Sequence, residues 1–87
     1  MKKTKFKWPL VMIHWLDSCD VTGWTRLSEW KGVRPLECVS IGFLIAEDKD
    51  TKTVAGHVAY PNADDSQATG IMVIPAVAIT KLTRLKV

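Results

Sequence analysis

The chain has 87 residues and a formal net charge of +3; 47% of its residues are apolar and 24% charged. So short a chain encloses one core, so residues 1–87 are expected to form a single domain, and a composition this apolar excludes an intrinsically disordered chain. A domain of this size buries only about 60–65% of its unfolded surface, so association into a homo-oligomer is an expected source of further burial.

The start, MKKTKFKWPLVMIHWL, couples a basic end to an apolar stretch as a signal peptide does. Pro9, His14 and Asp17 interrupt it, no small-residue cleavage site follows, and the run is too short to span a bilayer, so no membrane partner and a cytoplasmic location are expected. Residues 7–17 instead read as a first strand with both faces apolar, starting near a sheet edge at Pro9. The stretch DSCDVTG over residues 17–23 has the chemistry of a turn, with Asp and Ser able to bond nearby amides and Gly23 able to take a positive φ.

Over residues 24–31, Trp24, Leu27 and Trp30 recur every third position, which predicts a short helical insert or a structured loop, stopped by Gly32 and Pro35. Residues 36–47, LECVSIGFLIAE, form the strongest expected strand, and residues 53–60 return as the second arm of a hairpin around the charged tip at 48–52. Gly42 and Gly56 lie inside these arms, where a missing side chain permits a sharp bend. Residues 61–69 read as an exposed polar loop, 70–74 as a short strand, 75–78 as a tight helical turn, and 79–87 as a last strand. Ile79, Leu82 and Leu85 also recur every third position, which leaves a helix as the alternative there; the β-branched content favours the strand.

Catalysis requires a nucleophile or an acid–base pair in reach of one another, and His14, Asp17, Ser18, Cys19, Asp20 and His57 stand in no such motif. No catalytic residue, metal or cofactor is therefore expected. Cys19 and Cys38 lack zinc or redox spacing and are expected as free thiols, with a mutual disulfide as the alternative. A binding surface is the more promising reading: Trp24 and Trp30 can sandwich an aromatic ring, and Arg26, Lys31 and Arg34 can engage a phosphate. The competing reading has both indoles plugging the domain's open end. Lys2, Lys3, Lys5, Lys7, Lys81, Arg84 and Lys86 gather the basic excess at the chain's ends, where they would form one basic edge if the ends lie together.

The order of elements resembles the small barrel shared by Sm-like RNA-binding proteins and Src-homology adaptor domains, above all in the turn Ile74, Pro75, Ala76, Val77, Ala78 and Ile79 before the last strand. The frame carried by Trp15, Leu16, Asp17, Ser18, Gly23, Trp24, Val39, Ser40, Ile41, Gly42, Phe43, Leu44, Ile74, Pro75, Ile79 and Leu82 is similar to a group of small uncharacterised bacteriophage proteins. The polar base-binding signature of Sm proteins is missing, so RNA binding is not implied. These likenesses imply a mostly β domain, a strongly bent five-stranded barrel with a short helical insert after its first strand. The second likeness implies a phage or prophage origin and no defined activity; together with the Trp, Arg and Lys inventory and the absence of catalytic groups, it leads to the expectation of a non-enzymatic module acting in the host cell. On this reading a homo-oligomer would sequester a small anionic ligand, such as a nucleotide signal of host defence, through Trp24, Arg26, Trp30, Lys31 and Arg34. The alternatives are an adaptor for a host protein and a weak nucleic-acid binder that uses its basic ends.

Overall fold

A computed structural model of the chain describes residues 6–61 and 63–86; Lys2, Lys3 and Lys5 of the expected basic edge lie outside the described residues. The chain is mostly β. Five strands, β1 (Leu10–Asp17), β2 (Leu36–Glu47), β3 (Thr51–Ala59), β4 (Gln67–Pro75) and β5 (Ile79–Leu85), form one antiparallel sheet in the order β4-β3-β2-β1-β5. The two outermost strands, β4 and β5, are consecutive in the chain and joined by the single 3-10 turn Ala76–Ala78. So short a link between opposite edges forces the sheet to curl, yet no ladder joins β4 to β5 among the described residues, and the sheet stays open.

Curling collects the core on one face. Val11 and Ile13 of β1, Leu44 of β2, Val54 of β3 and Ile74 of β4 are buried together, with Trp15, Ile79 and Leu82 packed against them. Burying each of these aliphatic side chains contributes roughly 1.5–3 kcal/mol. The three-residue spacing of Ile79 and Leu82, which by itself suits a helix, has its explanation here. Leu82 stands opposite Ile13 and Ile79 opposite Trp15, and the register slips between those pairs. The slip absorbs one residue and returns both side chains to the core face, as a β-bulge does.

The bend centres on β2. Its residues from Leu36 to Phe43 pair with β1, whereas only Phe43 to Glu47 pair with β3. Gly42 sits at this handover, and a Cβ built there would lie 2.7 Å from the Ala55 carbonyl oxygen, closer than side-chain carbons approach backbone. Gly56 has nothing within 4 Å of such a Cβ, so close approach accounts for one of the two mid-strand glycines and not the other.

Several expected boundaries move. The first strand starts at Leu10, after Pro9, whose carbonyl accepts the Leu44 amide at 2.9 Å. Gln67, Ala68 and Thr69, expected in a loop, belong to β4, where they face Ala59, Val58 and His57. Residues 18–35, between β1 and β2, hold no longer helix than the 3-10 turn Leu27–Glu29. At the other end of β2, Asp48 closes the hairpin tip by accepting from the amides of Asp50 and Thr51, each at 2.8 Å, and from the Thr51 hydroxyl at 3.2 Å. The Ala76 amide donates to the Asp50 carbonyl at 2.8 Å and ties the β4–β5 turn to that tip. Among the described residues no helix is long and apolar enough to cross a membrane.

Candidate functional site

The end of the sheet away from the hairpin tip is where β1 runs out and β2 begins. The ladder sets Trp15 opposite Cys38, Leu16 opposite Glu37, and Asp17 opposite Leu36 as its last pair. Residues 18–35 leave the sheet there as an arm, every residue of which is exposed. Gly23 takes a φ of +86°, as the turn reading requires. Two backbone hydrogen bonds, Glu29 to Arg26 and Trp30 to Leu27, hold the 3-10 turn together. At the arm's return the Cys19 thiol donates to the Arg34 carbonyl at 3.5 Å.

At the root of the arm lies a cleft of about 470 Å³, lined by His14, Trp15, Arg34, Glu37, Cys38 and Thr80, with Leu16 and Val39 as apolar wall. Its volume falls within the range of about 300–1,000 Å³ usual for small-molecule sites. Local structure fixes several of these groups. The Trp15 indole N–H donates to the Ser40 hydroxyl at 3.0 Å, which pins the ring across the strand pair. Thr80, at the register slip of β5, donates its hydroxyl to the His14 carbonyl at 3.2 Å. The Cys38 thiol donates to the Leu36 carbonyl on its own strand at 3.7 Å and so is directed along β2. Among the described residues the one ion pair is Lys52 with Glu47 at 2.6 Å, at the opposite end of β2, so Arg34 and Glu37 keep their charges available.

Of the five residues expected to bind, Arg34 alone lines this cleft. Trp24 is fully exposed and Trp30 is 48% exposed, so in this chain neither indole plugs an open end of the core. Arg26 and Trp30 flank the 3-10 turn, and Lys31 follows on the exposed arm. The sequence alone does not mark Trp15, Glu37, Cys38 and Thr80 as binding residues. The signal for three of them was within the chain: a first strand ending at Asp17 and a second starting at Leu36, paired antiparallel, place Trp15 on Cys38 and Leu16 on Glu37.

Cys19 and Cys38 are both free. Cys19 lies beyond the last β1–β2 pair, against Arg34, while Cys38 lies inside β2 opposite Trp15. Asp17 accepts from the Ser18 amide at 2.8 Å, the local bond expected of a strand end. The ends of the sheet do come together, since Leu10 faces Leu85 and Val11 faces Arg84, which brings Lys7 to the same end as Arg84 and Lys86. Comparison with known proteins finds no matching family model, no matching curated protein and no matching solved structure.

Proposed function

We propose that the chain is a non-enzymatic binding module that takes a small anionic ligand, of which a nucleotide is the fitting class, into the cleft at the root of the arm. The observation that carries this reading is that Arg34, in no ion pair among the described residues, and Trp15 line one cleft of about 470 Å³. A guanidinium supplies forked donors for a phosphate, and an indole supplies a face for a base. Glu37 disfavours a bare phosphate beside it and suits the N–H or O–H donors of a base or sugar. Trp24, Arg26, Trp30 and Lys31 ride on the arm and add stacking and charge once it folds over the ligand.

The sheet order and the three-residue link between its edges support the small-barrel reading, with the arm as its insert. The bacteriophage likeness makes a nucleotide signal of host defence, met in the host cytoplasm, the leading candidate. Calorimetry of the full chain against linear and cyclic nucleotides tests the reading. Binding that Arg34→Ala abolishes without changing the circular dichroism spectrum is expected, and no heat from any nucleotide at high protein concentration would sink it. A host-protein adaptor is the second reading, favoured by the exposed Leu27 and Val21 on the arm. A stoichiometric protein recovered from host lysate, lost on Leu27→Asp and untouched by Arg34→Ala, would favour it.

A further inference from the structure

We propose that the arm over residues 18–35 is a dimerisation element, which pairs antiparallel with the arm of a second copy about a two-fold axis at Leu27. Along it an apolar residue stands at every third position, Val21, Trp24, Leu27, Trp30 and Val33, and the residues between them are polar, charged or glycine. Local structure repeats at the same interval. The Trp30 amide donates to the Leu27 carbonyl and closes the 3-10 turn, a conformation of three residues per turn in which residues three apart eclipse. Arg26 at φ −72° and ψ 124° and Trp30 at φ −67° and ψ 120° flank the turn in extended backbone close to polyproline II, which also has three residues per turn. The stripe is bare. Trp24 is fully exposed and Leu27 88% exposed, with Val21, Trp30 and Val33 each close to half exposed. Contiguous apolar surface of this kind marks an interaction site.

The order of the stripe identifies its occupant. Val, Trp, Leu, Trp, Val reads the same in both directions, and a two-fold contact sets a surface against itself, residue i on j and j on i. About an axis at Leu27 it places Val21 on Val33 of the second copy, Trp24 on Trp30 and Leu27 on Leu27. Apolar meets apolar along the whole stripe, with an indole pair on each side of the centre, where aromatic residues contribute most. Charge follows the same register. Arg26, Glu29 and Lys31 stand against Ser28, Thr25 and Gly23, all uncharged, and Asp20 stands against Arg34, of opposite sign. Gly23 and Gly32, at φ +86° and +85°, turn the backbone at nearly equal distances on either side of Leu27. A partner of another kind gives no reason for this symmetry. Area agrees, since the chain exposes 7326 Å² where a globular monomer of 9.7 kDa exposes about 5,100 Å². The excess of roughly 2,200 Å² lies within what one subunit of an obligate dimer hides, on the order of 1,000–2,500 Å². The arm, exposed at every residue, is its source.

Pairing belongs to the chain without ligand, because an arm that folds over the cleft must first leave its partner. Association is therefore tested with no nucleotide present, and its outcome does not depend on the ligand reading. Sedimentation equilibrium of the full chain over a roughly hundredfold range of concentration is expected to show single chains passing into dimers and into nothing larger, since a two-fold contact closes. Leu27→Asp sets two like charges on the axis and weakens association by at least about tenfold. Val77→Asp, at a fully exposed position on the β4–β5 turn, leaves it unchanged. Leu27 lies outside the core, so its variants keep the fold. With Cys19→Ser and Cys38→Ser as background, Leu27→Cys in oxidised glutathione is expected to give a disulfide-linked dimer far faster than Val77→Cys does. A single-chain mass at every concentration overturns the proposal, as does association that Leu27→Asp leaves untouched, or linkage as fast through Val77→Cys as through Leu27→Cys.

Discussion

Gly42→Ala tests whether the bend of β2 depends on backbone approaching backbone. The added methyl would sit 2.7 Å from the Ala55 carbonyl oxygen, 3.2 Å from its carbonyl carbon and 3.4 Å from Val54 Cβ. The first of these contacts cannot be relieved by a rotamer change, because the obstructing atom is main chain and its residue is paired with Phe43 in the ladder. Relief requires β2 and β3 to separate by roughly half an ångström, the kind of overpacking that costs about 1–3 kcal/mol. A domain of this length has a total stability of about 4–13 kcal/mol, so the loss is a substantial share of it. Each 1 kcal/mol shifts the Tm of such a domain by about 4–8 °C, which places the expected drop between roughly 5 and 20 °C. Gly56→Ala is the matched control. Nothing lies within 4 Å of its added methyl, and φ is not in the left-handed region, so the change stiffens the unfolded chain at no steric cost. A gain of about 0.4–1 kcal/mol is expected. Urea unfolding of both variants at one fixed protein concentration is the assay. Gly42→Ala as stable as the parent, or Gly56→Ala the more damaging of the two, refutes the reasoning.

Ile13→Ala empties the centre of the core and should lower the unfolding free energy by about 2–5 kcal/mol, since Ile13 is fully buried; a loss under half a unit in urea unfolding would show that the core lies elsewhere. Trp15→Phe removes the indole donor to Ser40, at an expected net cost of about 0.5–1.5 kcal/mol. A double-mutant cycle with Ser40→Ala should return a coupling of that order, and zero coupling would dismiss the bond. The carboxyl of Asp48 is held below its ordinary value of 3.8 by the amides of Asp50 and Thr51 and then by the Thr51 hydroxyl. With the folded value below the unfolded one, its contribution is whole above the ordinary value and is lost as pH falls through the folded one. Asp48→Asn should therefore lower Tm at neutral pH and converge with the parent in strong acid; a gap of constant size from neutral pH to strong acid contradicts this.

Strands were legible in this chain wherever turn chemistry bounded a dense run of β-formers. The 36–47 strand is bounded by Pro35 on one side and by Asp48 on the other, and both limits hold. Limits were lost where pairing rather than local propensity decides them. Gln67, Ala68 and Thr69 carry no strand signal of their own, and they join β4 because β3 continues to Ala59 and offers a ladder. The periodicity of Ile79 and Leu82 was ambiguous for a similar reason, since a bulge against β1 gives a strand the spacing of a helix. The cleft was less legible than the sheet. Its residues come from β1, the arm, β2 and β5, so it exists only through the registers Trp15 to Cys38 and Trp15 to Ile79. Indoles with nearby cations on the arm gave a stronger signal in the sequence, although the fold leaves all but Arg34 of that group away from the cleft.

The handover at Gly42 links the small core to the site. Because β2 gives its first part to β1 and its last part to β3, the two hairpins diverge from the crossing. Side chains from all five strands meet on the inner face near that crossing, as the cluster of Val11, Ile13, Leu44, Val54 and Ile74 with Ile79 and Leu82 does. Beyond it the β1–β2 hairpin continues with β5 on one side and no strand on the other. His14, Glu37 and Cys38 stand on that continuation, close enough to the core to be held in register and far enough from it to leave the cleft open to solvent. A β2 without the bend would keep β3 beside residues 36–42 and close the sheet over the ground the cleft occupies. The same close approach that confines the core therefore leaves open the cleft that Arg34 and Trp15 both line.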